Sequence, residues 1–584
     1  MKKATILFET GDAEATVKYL RRLGVLHVEH QNRPEGKDIS ALQEKVALID
    51  SSFDVLNRAI ESDKNIQPQN KIIGDWIAVA NQIIELGKRQ EQRESSSRTI
   101  IGQINEWERW GDVDLNQIQH LSQNGIYLTL YQVPVKEIRS FPDDVVVKTI
   151  FTAGDIAHCV AISRRKFECA FLEIRPPKQS LSLLTSRLSE DTKVMETIKG
   201  EIIKSACFYE ALLGIKKKLE KEIEFQQVLS GMIKEGAISY VTGYIPFDIE
   251  GHLVAKARSR KWGIVINEPS AEDNVPTLLR NPKWAGMIKP VLKLLGITPG
   301  YPELDVSVLF LIFLGIFFGI LIGDAGYGLV YILITLGIQK TMKLNTEMKT
   351  TVSLFYLLGS CAILWGVLTG TFFGQAWLLN LGYKPLVPQL NDANFMQTFC
   401  FFLGALHLSI AHSWRAYLKF PSLKALADVG WICILWAAFF LARTLILGEA
   451  FPPWGIWLIA TGIILVILFT SPQANVLRAL GDGLGTVALS LMNNFTDVVS
   501  YIRLFAVGLA TLAIAETTNT LSSGLGDGVA ALAAGVVIIL IGHSLNIILG
   551  LMSVLVHGVR LNVLEFSGHA NVTWSGFVFE PFKE

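Results

Sequence analysis

The stretch NNFTDVVSYIRLFAVGLATLAIAETT, residues 493–518, decides how this chain is read. It lies in an apolar run from 484 to 519, yet carries Arg503 near its middle. A helix of that length is roughly 52 Å long at 1.5 Å per residue, against a hydrocarbon core about 30 Å thick. It must tilt, bend or project. A charge at mid-bilayer costs at least ~2.5 kcal/mol and is a functional hypothesis by default. Asn493, Thr496, Ser500 and Arg503 follow at steps of three, four and three, which is one face of an α-helix. Beyond Arg503 the face continues as Val507, Ala510 and Ile514, so a polar track leads to a guanidinium and stops. The competing reading is a structural arginine held by helix carbonyls.

The last apolar run, 529–563, has its own stripe at the same steps: His543, Asn546, Gly550, Ser553, His557 and Arg560. Two long helices, each with a polar face and an arginine, read as an ion path. The other ionisable residues in or beside apolar segments are Asp324, Arg443, Asp497, Glu516 and Glu565. Asp324 sits in Gly323-Asp324-Ala325-Gly326-Tyr327-Gly328, a turn or helix break, where backbone capping is the expected role. Arg443 lies near the end of its span and is expected to snorkel.

Working outward, the apolar segments run at about 306–323, 325–339, 351–373, 395–413, 428–447, 454–470, 484–519 and 529–563. Eight spans put both termini on one side. Lys340, Lys343, Lys349, Arg415, Lys419, Lys424 and Arg478 then share that side, while the opposite loops hold Lys384, Glu449 and Asp527. By the positive-inside rule that side is the cytoplasm. The spacing of Gly366, Gly370 and Gly374 fits close helix packing.

Over the whole chain the composition averages two unlike halves. It has 584 residues, 50% apolar and 18% charged, with 53 basic and 53 acidic residues and a mean hydropathy of +0.36. Of the 106 charged residues, 82 precede residue 306 and 24 follow. Zero net charge argues against a nucleic-acid binder. Six cysteines without a C-x-x-C pair offer neither a disulfide scaffold nor a zinc motif. No metal or cofactor is expected. MKKATILFETGDAE has no apolar core of useful length, so no signal peptide is expected there.

In the charged half, Ala4–Phe8, Ala13–Leu23 and Val25–Glu29 read as strand, helix and strand. Leu42, Val46, Ile49, Phe53, Leu56 and Ile60 alternate steps of four and three, a coiled-coil seam. A second helical run at 181–232 carries Leu184, Leu188, Met195, Ile198 and Ile202, then Leu212, Ile215, Leu219 and Ile223. Small α/β stretches at 125–176 and 238–266 complete an antiparallel shaft with a globule at each end. The chain lacks G-x-x-x-x-G-K-[ST], so it is not expected to hydrolyse nucleotide.

The fold class is therefore an α-helical membrane protein of about eight spans, the last two long and tilted, with an N-terminal cytoplasmic arm of α/β lobes on an antiparallel coiled coil. The expected domains are the arm at 1–300, the membrane domain at 301–570 and a cytoplasmic tail at 571–584.

Asp497-Val-Val-Ser-Tyr-Ile-Arg503-Leu-Phe-Ala-Val-Gly-Leu-Ala510 resembles the penultimate-span motif of subunit a, or subunit I, of V-type and A-type rotary ATPases. His557-Gly-Val-Arg560-Leu-Asn-Val-Leu-Glu565-Phe566 resembles its last-span motif, and Phe318–Gly328 its first. Val275–Pro282 and Tyr301–Asp305 resemble the linker before the membrane, and Val241–Pro246 the last soluble lobe.

The resemblance implies a stator subunit beside a rotating c (K) ring whose buried carboxylates are loaded through two offset half-channels. Implied partners are that ring, peripheral-stalk subunits E and G, the C/d component of the central stalk and membrane lipid. The family's essential arginine maps onto Arg503 and a supporting one onto Arg560. Arginine stays charged at any relevant pH, so beside a ring carboxylate it favours the ionised form and drives off the ion.

Candidate ion-path residues are Asn493, Thr496, Ser500, Arg503, Glu516, His543, Asn546, His557, Arg560 and Glu565, with Gly323, Asp324 and Gly326 structural. Glu516 reads either as the outer half-channel's acid or as a residue at the lipid interface. Some eukaryotic members carry His eight residues after the first arginine and Glu ten before the second; here these are Thr511 and Gly550. A simple hairpin would set Arg503 beside Asn546 and Arg560 about four turns deeper. The length suggests a bacterial or archaeal plasma membrane. Rival readings are a secondary transporter with a regulatory domain, which predicts duplicated broken helices, and a non-conducting scaffold.

Overall fold

Ala4, Ile6 and Phe8 are buried between less buried neighbours, the period-two pattern of a strand with one covered face. In the computed structural model these residues start the first of two compact units: Lys3–Ile266 with Pro581–Glu584, and Met1–Lys2 with Asn267–Glu580. The structure describes all residues except 63–74, 113–114, 167–168, 170, 175–178, 271, 343, 376–381, 383, 471–486, 488–489 and 527. Lys343, Arg478 and Asp527, used above for orientation, lie outside the described residues.

In the first unit β1 (Lys2–Glu9), α1 (Ala13–Leu23) and β2 (His27–Glu29) join β7 (Ile233–Glu235), β8 (Ile238–Ile245), α7 (Glu250–Ser259) and β9 (Gly263–Asn267). The strand order is β2-β8-β1-β9, with β7 on β8, so the first and last α/β stretches build one sheet. Its core includes Ile6, Val17, Leu20, Leu26, Val241, Leu253 and Phe582. The Phe582 amide donates to the Leu26 carbonyl at 2.8 Å.

From this lobe α2 (Lys37–Ser62) packs on α6 (Tyr209–Gly231), and α3 (Trp76–Trp107) packs on α5 (Leu181–Ser205). α2 and α6 run in opposite directions: Asp50 pairs with Lys216 at 2.5 Å while Phe53 meets Tyr209. The seam residues Ile49, Phe53 and Leu56 are buried with Ile83, Leu86, Ile198, Ile202 and Leu212. After α4 (Leu115–Gln123), which packs on the first of them, β3 (Tyr127–Pro134), β4 (Val146–Ala153), β5 (Ile156–Ser163) and β6 (Leu172–Ile174) form a second, antiparallel sheet in the order β4-β5-β3-β6.

In the second unit the eight apolar segments become helices, but not eight equal crossings. Five described helices are long and apolar enough to span a membrane: Thr346–Thr369, Ala393–Lys419, Ala425–Leu447, Ser490–Ser523 and Val529–Ala570. Ser307–Ile322 and Ala325–Thr341 pass only as a pair, bent by 119°. Gly455–Phe469, of 15 residues, is shorter than a usual span.

The bend has a local cause. Gly323 takes the left-handed conformation (φ 66). Asp324 Oδ1 accepts from the amides of Gly326 (2.7 Å) and Tyr327 (3.2 Å), and Oδ2 from the Gly374 amide (2.9 Å). Gly366 packs so tightly here that a Cβ would lie 2.0 Å from the Ala325 nitrogen. Gly366, Gly370 and Gly374 do not share a helix face, as their spacing suggested. The helix ends at Thr369, and Gly370 (φ 77) turns the chain back so that residues 371–374 bind the bend.

The linker ahead of these helices packs with them. Thr298 bridges to Ser575 and Thr277 to Val578. Glu303 accepts hydrogen bonds from Gly300, Thr573, Trp574 and Ser575. Burial alone would raise the Glu303 carboxyl, but these donors outweigh it, the Thr573 hydroxyl first, and hold it below the usual carboxylate value.

Candidate functional site

The hydroxyls of Thr496 and Ser500 fold back onto the Met492 and Thr496 carbonyls at 2.9 and 2.8 Å. Such back-bonding bends helices, and the 490–523 helix is interrupted by a turn at Ser500 and Tyr501. One turn on, Arg503 reaches back: Nε donates to the Ser500 carbonyl at 3.1 Å and an Nη lies 3.4 Å from Glu565 Oε1.

Arg560 meets the same oxygen, with Nε at 3.5 Å from Glu565 Oε1. In an α-helix a step of five residues turns about 140° past one full circle, so Arg560 and Glu565 would face apart. They meet because the 529–570 helix contains π-helical turns at Val554–Gly558 and Leu561–Phe566, whose bonds run from i to i+5. The simple hairpin register does not hold either, and it is already lost in the regular helix ahead of these turns. Asn546 is not beside Arg503. Its amide donates to the Thr511 carbonyl at 2.8 Å and to Tyr327 Oη at 2.9 Å. The two arginines, expected about four turns apart, converge on one carboxylate.

Glu565 is buried, and its Oε2 has no hydrogen-bond partner among the described residues. It lines a cleft of about 460 Å³ whose walls also include Asn493, Asn494, Asp497, Arg560 and His569. From His569 a buried chain leads away. Its Nε2 lies 3.1 Å from Asp497 Oδ2 and its Nδ1 2.9 Å from His412 Nε2. His412 Nδ1 lies 3.3 Å from Asp428 Oδ1, and Lys419 Nζ donates to Asp428 Oδ2 at 2.6 Å. Arg415 donates to the His569 carbonyl at 2.9 Å and lies 3.4 Å from Asp428 Oδ1.

No protein-family model matches the chain, but curated relatives do. V-type ATP synthase subunit I 1 of Treponema pallidum is 30% identical over 632 residues, which covers all of this chain and 99% of the relative. The chain belongs to the V-type ATP synthase subunit I family. Subunit I of Borreliella burgdorferi is 28% identical over 609 residues, covering 100% and 99%. The A-type subunit I of Methanocaldococcus jannaschii is 25% identical over 477 residues, covering 72% and 66%. The chain is thus related to membrane subunits of rotary ATPases. A crystal structure of the cytoplasmic N-terminal domain of a subunit I, homolog of subunit a, of V-ATPase aligns with 46% of this chain and 100% of its own at 12% identity, with a TM-score of 0.22.

In this subunit I family member a second polar cluster lies beyond Arg503. Tyr327 Oη is 2.6 Å from His543 Nδ1, His543 Nε2 is 3.1 Å from Asn519 Oδ1, and Asn519 donates to the Phe373 carbonyl at 2.8 Å. Asn493, Thr496 and Glu516 are exposed, His557 is half-buried, and His557 Nδ1 is unpartnered among the described residues. Gly323 and Gly326 lie at the bend, where a Cβ on Gly326 would strike the Phe373 ring at 2.7 Å. Among the described residues no group of three His, Cys, Asp or Glu side chains could hold a metal ion.

Sequence reasoning missed His412, His569, Asp428, Tyr327 and Asn519. Asp428 had a usable signal, an acid at the edge of an apolar run.

Proposed function

We propose that this chain is the ion-translocating stator subunit of a V/A-type rotary ATPase, non-catalytic toward ATP, with the 529–570 helix beside the c (K) ring. The observation that carries this reading is the convergence of Arg503 and Arg560 on Glu565 at the wall of a polar cleft. The cleft serves as the cytoplasmic half-channel, and the Tyr327–His543–Asn519 cluster belongs to the outer one. Arg503 stands between them and stays charged, so an ion crosses only on a ring carboxylate. Glu565 offsets part of the arginines' charge, which tempers their hold on that carboxylate. The apolar side chains that the 529–570 helix leaves exposed, Leu532, Ile541 and Ile548 among them, support a neighbour of ring or lipid.

The arm joins peripheral-stalk subunits E and G and contacts the C/d component of the central stalk, with both termini cytoplasmic in a bacterial or archaeal plasma membrane. Coupling of protons or sodium to ATP synthesis or hydrolysis uses the same path. The bent helix pair favours one alternative, a secondary transporter, since broken helices mark such sites; transport by the purified chain alone would support it. In the assembled complex, Arg503→Ala or Arg503→Lys should abolish ATP-driven pumping while assembly survives. Normal pumping by either variant overturns the reading.

A further inference from the structure

The chain Asp497–His569–His412–Asp428 has a proton count that can be made from geometry alone. It contains three hydrogen-bonded gaps, of 3.1, 2.9 and 3.3 Å. Each gap holds one hydrogen, so the chain needs three. Ionised carboxylates contribute none, and two neutral imidazoles contribute one each. If His412 gives its only hydrogen to Asp428, its Nε2 is an acceptor, and His569 must donate there from Nδ1. His569 Nε2 would then be a bare lone pair facing a carboxylate oxygen. One hydrogen is missing.

We propose that the His412–His569 pair is a proton-holding site that carries one proton more than two neutral rings, on the wall of the cleft. The proton resides on an imidazole rather than a carboxyl, because imidazole is more basic by about 2.5 pH units in isolation. The surroundings set the balance. Asp497 faces His569 from the 490–523 helix, and Asp428 faces His412 from the 425–447 helix. Arg415 and Lys419, from the 393–419 helix, bond to Asp428 and keep it ionised. Glu565 and Arg560 share the cleft with His569. The imidazoles are almost wholly buried, while the Asp497 side chain is 30% exposed. The proton therefore enters and leaves at the Asp497 end, from cleft water through His569 Nε2, and shifts along the 2.9 Å N–N contact without either ring moving.

The role of this site in translocation rests on the half-channel reading; the proton count does not. The test is nitrogen NMR of the histidine-labelled subunit in the intact membrane complex at about pH 7.5, well above the ordinary imidazole value. We expect one ring with both nitrogens protonated, absent in His569→Gln and also lost in Asp497→Asn. No doubly protonated ring in the wild-type complex overturns the proposal, as does one that survives both substitutions. If His569→Gln does not assemble, the wild-type spectrum and Asp497→Asn decide. Normal pumping by Arg503→Ala with the doubly protonated ring present would sink the translocation reading and leave this site standing.

Discussion

Tyr501 Oη and His407 Nδ1 are 2.8 Å apart and both side chains are fully buried, which ties the 490–523 helix to the 393–419 helix just below Arg503. The imidazole lies flat between the rings of Phe313 (3.6 Å) and Phe566 (4.3 Å), and its Nε2 has no partner among the described residues.

Tyr501→Phe should therefore cost about 1–3 kcal/mol, the penalty for stranding a buried polar group. Adding His407→Phe removes the stranded nitrogen and should recover part of the loss, since replacing both partners by apolar groups is often nearly neutral. Thermal unfolding of the detergent-purified complex reads both. A double variant less stable than Tyr501→Phe alone would contradict the pairing.

Gly366→Ala should keep the subunit from accumulating in the membrane. The added Cβ would meet backbone at 2.0 Å, at the bend that Asp324 caps, and backbone cannot rotate away as a side chain can. Gly337→Ala, where nothing lies within 4 Å, should be tolerated. Immunoblots of membrane fractions compare the two.

The Glu303 latch should open in acid. Its carboxyl is held below its ordinary value of 4.5, so its contribution is fully present above that value and fades as pH falls through the lower, folded one. Hydrogen-exchange protection at Thr573–Ser575 should decline below pH 4.5. Glu303→Gln should lower that protection at neutral pH and flatten its pH dependence. Equal protection in variant and wild type would refute the latch.

What the sequence makes legible follows from period and charge. The seam at Ile49, Phe53 and Leu56 is visible because heptad spacing survives in any context that buries it. The apolar runs and the arginine within one of them are visible because charge is so scarce after residue 305. The Arg560–Glu565 pair is not, because α-helical periodicity has no place for a five-residue contact; it exists only through the π turns. The bend at Asp324 could be suspected from its glycines, but its cap on Gly374 joins residues 50 apart and obeys no local pattern. His412 and His569, 157 residues apart, meet only through the fold. The single sheet made from both ends of the charged half is invisible for the same reason.

Phe582 has a consequence for the order of events in synthesis. The lobe built on β1, made before any of the apolar helices, takes one of its core side chains from residue 582, made after them all. Fully burying such a ring contributes ~1.5–3 kcal/mol, a large share of a small lobe's stability. The lobe thus stays unfinished until every transmembrane helix has been made. A chain that stalls during insertion lacks this ring, so the packing of residues 3–29 reports on whether residue 582 has been made.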